Sequence, residues 1–398
     1  MKILIIHCAY QYKGGEDTVV AEEVDLLRSS GASVELLMFS NKGNAFLNVV
    51  QIPFNWSAYK TTLRTVRKFQ PHVVHIHNLH FAASPSVLYA LKKTGIPYVC
   101  TLHNFRLLCP SAILFYEGKA FLNSLTEHFP ITAVRKGVYK HSIPLTFWLA
   151  VSMKLHQRLG IWKTVHRFIV LSRHAKEIFL SSRLGIREEK FVIKPNFCFS
   201  PPYVKVEDQN FFLYVGRLSE EKGIRLLLSV FSRSRYTLKI IGDGPLLSEV
   251  KQAAAANNNI QFLGSKTKGE VFELLGSCTA LIFPSIWFEG MPLTIIEAFA
   301  CGTPVITSEL GAMEFMVTPN VDGLHFKAND EADMISKLDY WQQLPAAGKE
   351  VYRDNARKTY KERYTPEANA RQLLAIYSSV IAPSAVTNLP LSFQGNPV

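Results

Sequence analysis

The chain has 398 residues, 48% of them hydrophobic and 19% charged, with a formal net charge of +12. That length exceeds one ordinary core and suggests two domains, while the composition is that of a folded globular protein and gives no support to extensive disorder. The six cysteines are scattered without a Cys-x-x-Cys pair, which argues against a zinc finger or disulfide framework and fits a reducing cytoplasm.

Short apolar runs alternate with amphipathic stretches along the whole chain, the pattern of parallel βαβ units and an α/β fold. Lys2–His7 reads as a buried first strand rather than a signal segment, since it lacks a small-residue cleavage site. It runs into the loop Gln11–Asp17, where Gly14 and Gly15 let backbone amides approach a ligand, before a helix with Val20, Val24 and Leu27 at helical spacing. A plain turn would use the same Gly-Gly pair. Val34–Phe39 and Val73–His77 follow as strands. His75 and His77 share a strand face and form a possible zinc pair, but no acidic or cysteine ligand lies nearby in the local pattern, so they read as cleft-lining or hydrogen-bonded groups. Strand Tyr98–Leu102 ends in His103-Asn104, at the carboxyl edge where α/β sheets form sites.

Residues 106–130 show no clean period and read as a long loop. From Phe129 to Lys176 there is no Asp or Glu, yet nine Lys or Arg residues occur. Interleaved with Tyr139, Phe147, Trp148 and Trp162, this stripe suits anionic lipid headgroups or a diphosphate-bearing acceptor, and a nucleic-acid surface would share the charge. The segment Ile143–Met153 is about half the length of a spanning helix, so no transmembrane helix is expected. Strands Phe168–Leu171 and Phe191–Lys194 flank a helix at Arg173–Ser182, and Ser200–Asn210 with its Pro-Pro pair reads as a linker.

The second half repeats the alternation. Strand Phe211–Val215 leads to Gly216–Gly223, where Arg217 and Lys222 place a forked and a point-like cation on one loop. Leu238–Ile241 precedes Gly242-Asp243-Gly244-Pro245, and Ile260–Leu263 precedes Gly264. An apolar run, Ala280–Phe283, ends at Pro284, and a helix opening at Pro292 runs to Gly302. Its first amides, with Met291, Leu293 and Thr294, suit a phosphate, and Glu289 and Glu297 stand before and inside the helix. Pro304–Thr307 reads as the strand closing the sheet, and helical periods from Asp330 to about Ile381 finish the pattern.

Glu289 and Glu297, with Gly290, Pro292, Leu293 and Ala298 in frame, resemble the Glu-x7-Glu signature of the family 4 retaining glycosyltransferases. The Gly-Arg…Lys-Gly loop, Gly-Asp-Gly-Pro and the strand-end His103 resemble the same family, the last in a bacterial polysaccharide subgroup. His-Asn replaces the commoner His-Asp, and Ala312 stands where relatives often carry a second glycine. The resemblance implies the GT-B fold, two facing Rossmann-like domains around a deep cleft. It gives an N-terminal acceptor domain 1–199, linker 200–210, nucleotide-sugar domain 211–365, a helix 366–382 crossing back, and a tail 383–398 expected to be flexible.

The implied activity is retaining transfer of a hexose from a nucleotide diphosphate sugar to a glycan or polyprenyl-linked acceptor in cell-surface polysaccharide synthesis. Arg217 and Lys222 would hold the diphosphate, assisted by Gly14, Gly15, Gly216 and the amides around Gly290–Thr294. Gly242 and Gly264 would shape the nucleotide pocket, Glu297 would hold the ribose, and Glu289 and His103 would face the sugar. No metal or cofactor is expected, since cations and helix dipole stand where a magnesium ion would. The expected location is cytoplasmic, at the inner face of the membrane through residues 129–176, with no nucleic acid bound. A nucleotide-sugar epimerase of the same fold and a non-catalytic glycan-binding scaffold are the alternative readings.

Overall fold

In the computed structural model the described residues are 1–9, 14–41, 49–201 and 209–381. Part of the first glycine loop, most of the expected linker and the expected tail lie outside them. The chain forms two compact units, one of Met1–Ala112, Leu122–Pro195 and Glu367 onward, the other of Ile113–Phe121 and Asn196–Pro366.

The first unit contains a six-stranded parallel sheet of β1 (Lys2–Ala9), β2 (Ser33–Ser40), β3 (Val73–Ile76), β4 (Tyr98–Leu102), and, after a two-stranded hairpin β5 (Phe115–Tyr116) and β6 (Lys119–Ala120), β7 (Arg167–Val170) and β8 (Phe191–Ile193). The sheet order is β2-β1-β3-β4-β7-β8. The central strands are buried and mostly apolar, as a parallel sheet covered by helices requires, with His7, His75 and Thr101 as buried polar exceptions. Helix Pro366–Val380 completes this unit, placing Leu373, Ile376 and Tyr377 in one core with Ile3, Ile5, Val99 and Ile169.

The second unit has its own parallel sheet: β9 (Phe212–Val215), β10 (Leu238–Ile241), β11 (Ile260–Phe262), β12 (Ala280–Phe283), β13 (Val305–Ser308) and β14 (Gly323–Phe326), ordered β11-β10-β9-β12-β13-β14. Each sheet reverses its winding beside its first strand, at β1/β3 and at β9/β12. Those are the crevices where open α/β sheets bind ligands.

Three expectations are corrected. Strand Pro304–Thr307 does not close the sheet, because β14 pairs outside it from Val305↔Gly323 to Ser308↔Phe326. A four-residue Gly-Leu-His-Phe strand is too short to show a period. Residues 106–130 are not one structureless loop: they hold the β5–β6 hairpin, which clusters with the second unit, and a short helix at Asn123–Thr126. Pro292 is the N-cap, not the first helical residue, with ψ 119° in the extended range, and the helix runs Leu293–Ala300.

Candidate functional site

In the second unit two loops lock together at the β9/β12 crevice. Gly223 ends the first with φ +72°, and a Cβ there would stand 1.9 Å from the Pro284 carbonyl oxygen, so only glycine admits this approach. Ile286 N–H donates to the Glu221 carbonyl at 2.9 Å. This brings Lys222 Nζ within 2.6 Å of Glu289 Oε1, while Ser285 Oγ donates to the same oxygen at 2.7 Å. Glu289 is 5% exposed. Lys222 also lies over the rings of Phe283 and Trp287, 5.7 and 5.4 Å from their centroids. Arg217 is exposed, and its side chain has no hydrogen bond or ion pair among the described residues.

Glycine ends of three neighbouring strands form the floor. Gly216 N–H donates to the Ile241 carbonyl at 3.1 Å, and Gly242 N–H to that of Gly264 at 3.0 Å. Gly242 has φ +145°, and a Cβ would fall 1.9 Å from the Gly216 carbonyl oxygen. Under Gly216 the Tyr214 hydroxyl is pushed well above the ordinary tyrosine range by burial, then by the charges of Glu289 and Glu221. Glu289 just precedes helix Leu293–Ala300, whose first-turn amides, those of Leu293 and Thr294 included, have no partner within the helix. Met291 lies before the helix and its Sδ and carbonyl accept from Asn196, at 3.2 and 3.4 Å. Glu297, inside the helix, raises the pKa of Cys301 after burial does, to about 12.

In the first unit Gly14 is the N-cap of helix Gly15–Ser29 and donates its N–H to Asp17 Oδ2 at 2.9 Å. Asp17 Oδ1 meets His7 Nε2 at 2.8 Å. Among the described residues a Cβ on Gly14 would meet nothing within 4 Å, so neither packing against them nor backbone conformation demands glycine there. His103 follows β4 and stacks on His77, with Nε2 3.0 Å from His77 Nδ1. Burial first, then the neighbouring His77, hold His103 well below the ordinary histidine range.

The structure supplies what the local pattern around His75 and His77 lacked. Glu23 Oε1 lies 3.1 Å from His75 Nδ1 and 3.0 Å from His77 Nε2. These three atoms could hold a cation. The other carboxylate oxygen meets Lys194 Nζ at 3.1 Å, and Lys194 also reaches Asn369 Oδ1. His75 further bonds the Tyr377 hydroxyl and Thr101 Oγ1, each at 2.7 Å. Burial opposes the charge of Glu23, but Lys194 and the two histidines outweigh it and hold the carboxyl well below its usual range. One signal in the sequence pointed here: Glu23 sits between Val20, Val24 and Leu27 on the apolar face of its helix, where an unpaired carboxylate would be costly.

Two Rossmann-like units, each with polar and glycine loops at the switch point of its sheet, define a GT-B glycosyltransferase fold. Residues 13–198 match the family described as Glycosyltransferase Family 4, and residues 199–361 that described as Glycosyl transferases group 1. The chain belongs to the family 4-like glycosyltransferases. It is 27% identical over 177 residues to O-antigen chain mannosyltransferase C of Escherichia coli, covering 43% of this chain and 47% of that protein. With a GDP-mannose-dependent alpha-mannosyltransferase of Corynebacterium glutamicum it is 31% identical over 190 residues, 46% of this chain and 42% of the other. The matched stretches thus span less than half of these relatives. Among solved structures, a glycosyltransferase from Rickettsia africae superposes with TM-score 0.69 at 17% identity, over 96% of this chain and 99% of that one. The Anabaena protein HepE in complex with UDP gives 0.67 at 16%, over 95% and 100%. Likeness at such identity shows the fold alone.

Proposed function

We propose that the protein transfers a hexose, with retention at the anomeric carbon, from a nucleotide diphosphate sugar to a glycan or polyprenyl-linked acceptor in cell-surface polysaccharide synthesis. The observation that carries this reading is the Lys222–Glu289 pair, held by the Gly223–Pro284 contact beside the start of helix Leu293–Ala300. Arg217, Lys222 and the helix amides stabilise the leaving diphosphate without a metal, Glu297 holds the ribose, and Glu289 faces the sugar hydroxyls. The acceptor attacks the face the diphosphate leaves, and His103 in the first unit contacts the transferred sugar. Gly14, where no backbone reason for glycine exists, admits close approach of the donor phosphates. The mannosyltransferases among the relatives make GDP-mannose the first donor to try, and the UDP bound by HepE makes UDP-hexoses the second.

We also infer peripheral attachment to the cytoplasmic leaflet. No helix among the described residues is long and apolar enough to cross a membrane. Helix Ile143–Arg158 and the residue beyond it present Ile143, Phe147, Leu155 and Leu159 four or eight residues apart, all exposed, beside the basic Lys154 and Arg158.

The test is titration with a panel of GDP- and UDP-hexoses, with turnover measured with and without a chelator. Arg217→Ala should weaken donor binding roughly tenfold or more, the worth of one charge-assisted contact. Glu297→Gln should weaken binding of the free nucleoside diphosphate, whereas Glu289→Gln should slow transfer and spare it. Wild-type donor affinity in Arg217→Ala, or equal nucleotide effects of the two glutamate variants, overturns the assignment, and activity abolished by the chelator overturns metal independence.

A further inference from the structure

Helix Ile143–Arg158 has an inner side as well as its exposed stripe. Leu149, Ser152, Met153 and His156 face a cavity of about 110 Å³ in the first unit, walled elsewhere by residues that include Phe81 and Trp162. That volume exceeds the ~30 Å³ share of one water and approaches the ~150 Å³ in which an engineered apolar cavity stays dry and takes up benzene. Its size and walls suit a short hydrocarbon segment.

The lining also carries polar and cationic groups, among them His77, His80, His103 and Arg106. The Arg106 guanidinium and Lys140 Nζ both lie over the Tyr139 ring, 5.4 and 5.9 Å from its centroid, and the His80 ring is 6.3 Å from the same ring. His80 Nε2 is buried and has no hydrogen-bond partner among the described residues. Burial, then the charges of Arg106 and Lys140, keep His80 well below the ordinary histidine range. Phe81 and Lys140 have φ of +58° and +52°, a backbone state that bulky side chains rarely adopt, so the fold holds both residues against local preference. A forked cation, a point cation and a neutral imidazole next to an apolar chamber make a two-part receptor.

We propose that this cavity binds a phosphate ester of a hydrocarbon chain, its first carbons in the chamber and its phosphate on Arg106, Lys140 and His80. The inference rests on the glycosyl-transfer reading only in assigning that ester to the acceptor; the binding itself does not depend on it. A lipid phosphate with a straight chain and an isoprenyl phosphate share this chemistry, and the exposed stripe on the same helix would keep either within reach of a membrane.

The test uses the full wild-type chain and calorimetric titration with inorganic, ethyl, decyl and geranyl phosphate, below the concentrations at which the esters form micelles. Affinity should rise at least tenfold from inorganic phosphate to the long esters; preference for geranyl supports an isoprenoid ligand, and equal or better binding of decyl supports a straight-chain one. Arg106→Gln and Lys140→Gln should each weaken the esters roughly tenfold. Met153→Trp, which fills the chamber, should remove the chain-length dependence and leave inorganic phosphate unchanged. Affinity of wild-type protein for inorganic phosphate equal to that for both decyl and geranyl phosphate overturns the proposal without recourse to any variant. UDP and GDP titrated in parallel separate the two readings: nucleotide binding without ester binding overturns this inference alone, and ester binding without nucleotide binding overturns the donor reading alone.

Discussion

Lys222 and Glu289 were expected to hold different parts of the donor, the cation the diphosphate and the carboxylate the sugar. In the structure they hold each other at 2.6 Å, with Glu289 the more buried partner. Each therefore neutralises the other until a ligand competes, and truncating one leaves a partly desolvated charge behind. Lys222→Ala should cost about 3 kcal/mol of stability, the low end for breaking a buried pair, because Lys222 retains some contact with solvent. Adding Glu289→Gln should recover at least half of that loss, since no charge is then stranded. Urea unfolding of the two single variants and the double variant gives the coupling, and additive losses would show the pair to be energetically independent. The same logic means that weaker donor binding by Lys222→Ala must be read beside its stability, whereas exposed Arg217 lacks that complication.

Helix Ile143–Arg158 decides how the acid-free stretch is used. Its inner face buries Thr146, Leu149, Ala150, Ser152 and His156, and its outer face leaves Phe147 49% exposed, followed by Leu159 at 61%. The aromatic residues grouped together in the sequence separate here. Phe147 is on the surface, Trp148 donates its indole N–H to the Val49 carbonyl at 2.8 Å, and Trp162 is buried. The charge separates as well: Arg173 and Lys176 are paired with Glu177 and Glu188, outside the acid-free interval, so the nine cations are not wholly uncompensated. Attachment should then depend on the apolar stripe together with Lys154 and Arg158. Co-sedimentation should show binding to anionic vesicles and none to neutral ones, weakened by salt and by Phe147→Gln with Leu155→Gln. Equal binding to both vesicle types, or an unaffected double variant, would remove the membrane reading.

Across the molecule, the buried histidines make stability depend on pH. His77 is pushed down to about 3, by burial first and then by neighbouring His75, although Glu23 works the other way. In the unfolded chain it would bind its proton near the ordinary ~6.5, so between those values the unfolded state holds more protons. Stability is therefore fully present above about pH 6.5 and is lost as pH falls, by at most ~1.4 kcal/mol per pH unit for each such histidine. Glu23, held below its usual range, adds to the loss in the same direction at lower pH. Urea unfolding at about pH 7.5 and about pH 5 should show this slope, and His77→Asn should flatten it; stability that rises toward pH 5 would contradict it. The sequence alone determined the alternation of strands and helices, the glycine turns and the spacing of Glu289 and Glu297, because each is a relation between residues close together in the chain. Only the tertiary structure could bring Tyr377 to His75, 302 residues away, set Lys194 against Glu23, 171 residues away, and add β14 beyond β13. Those contacts leave no local period, since burial against a distant element constrains what a side chain meets and not its spacing from its neighbours.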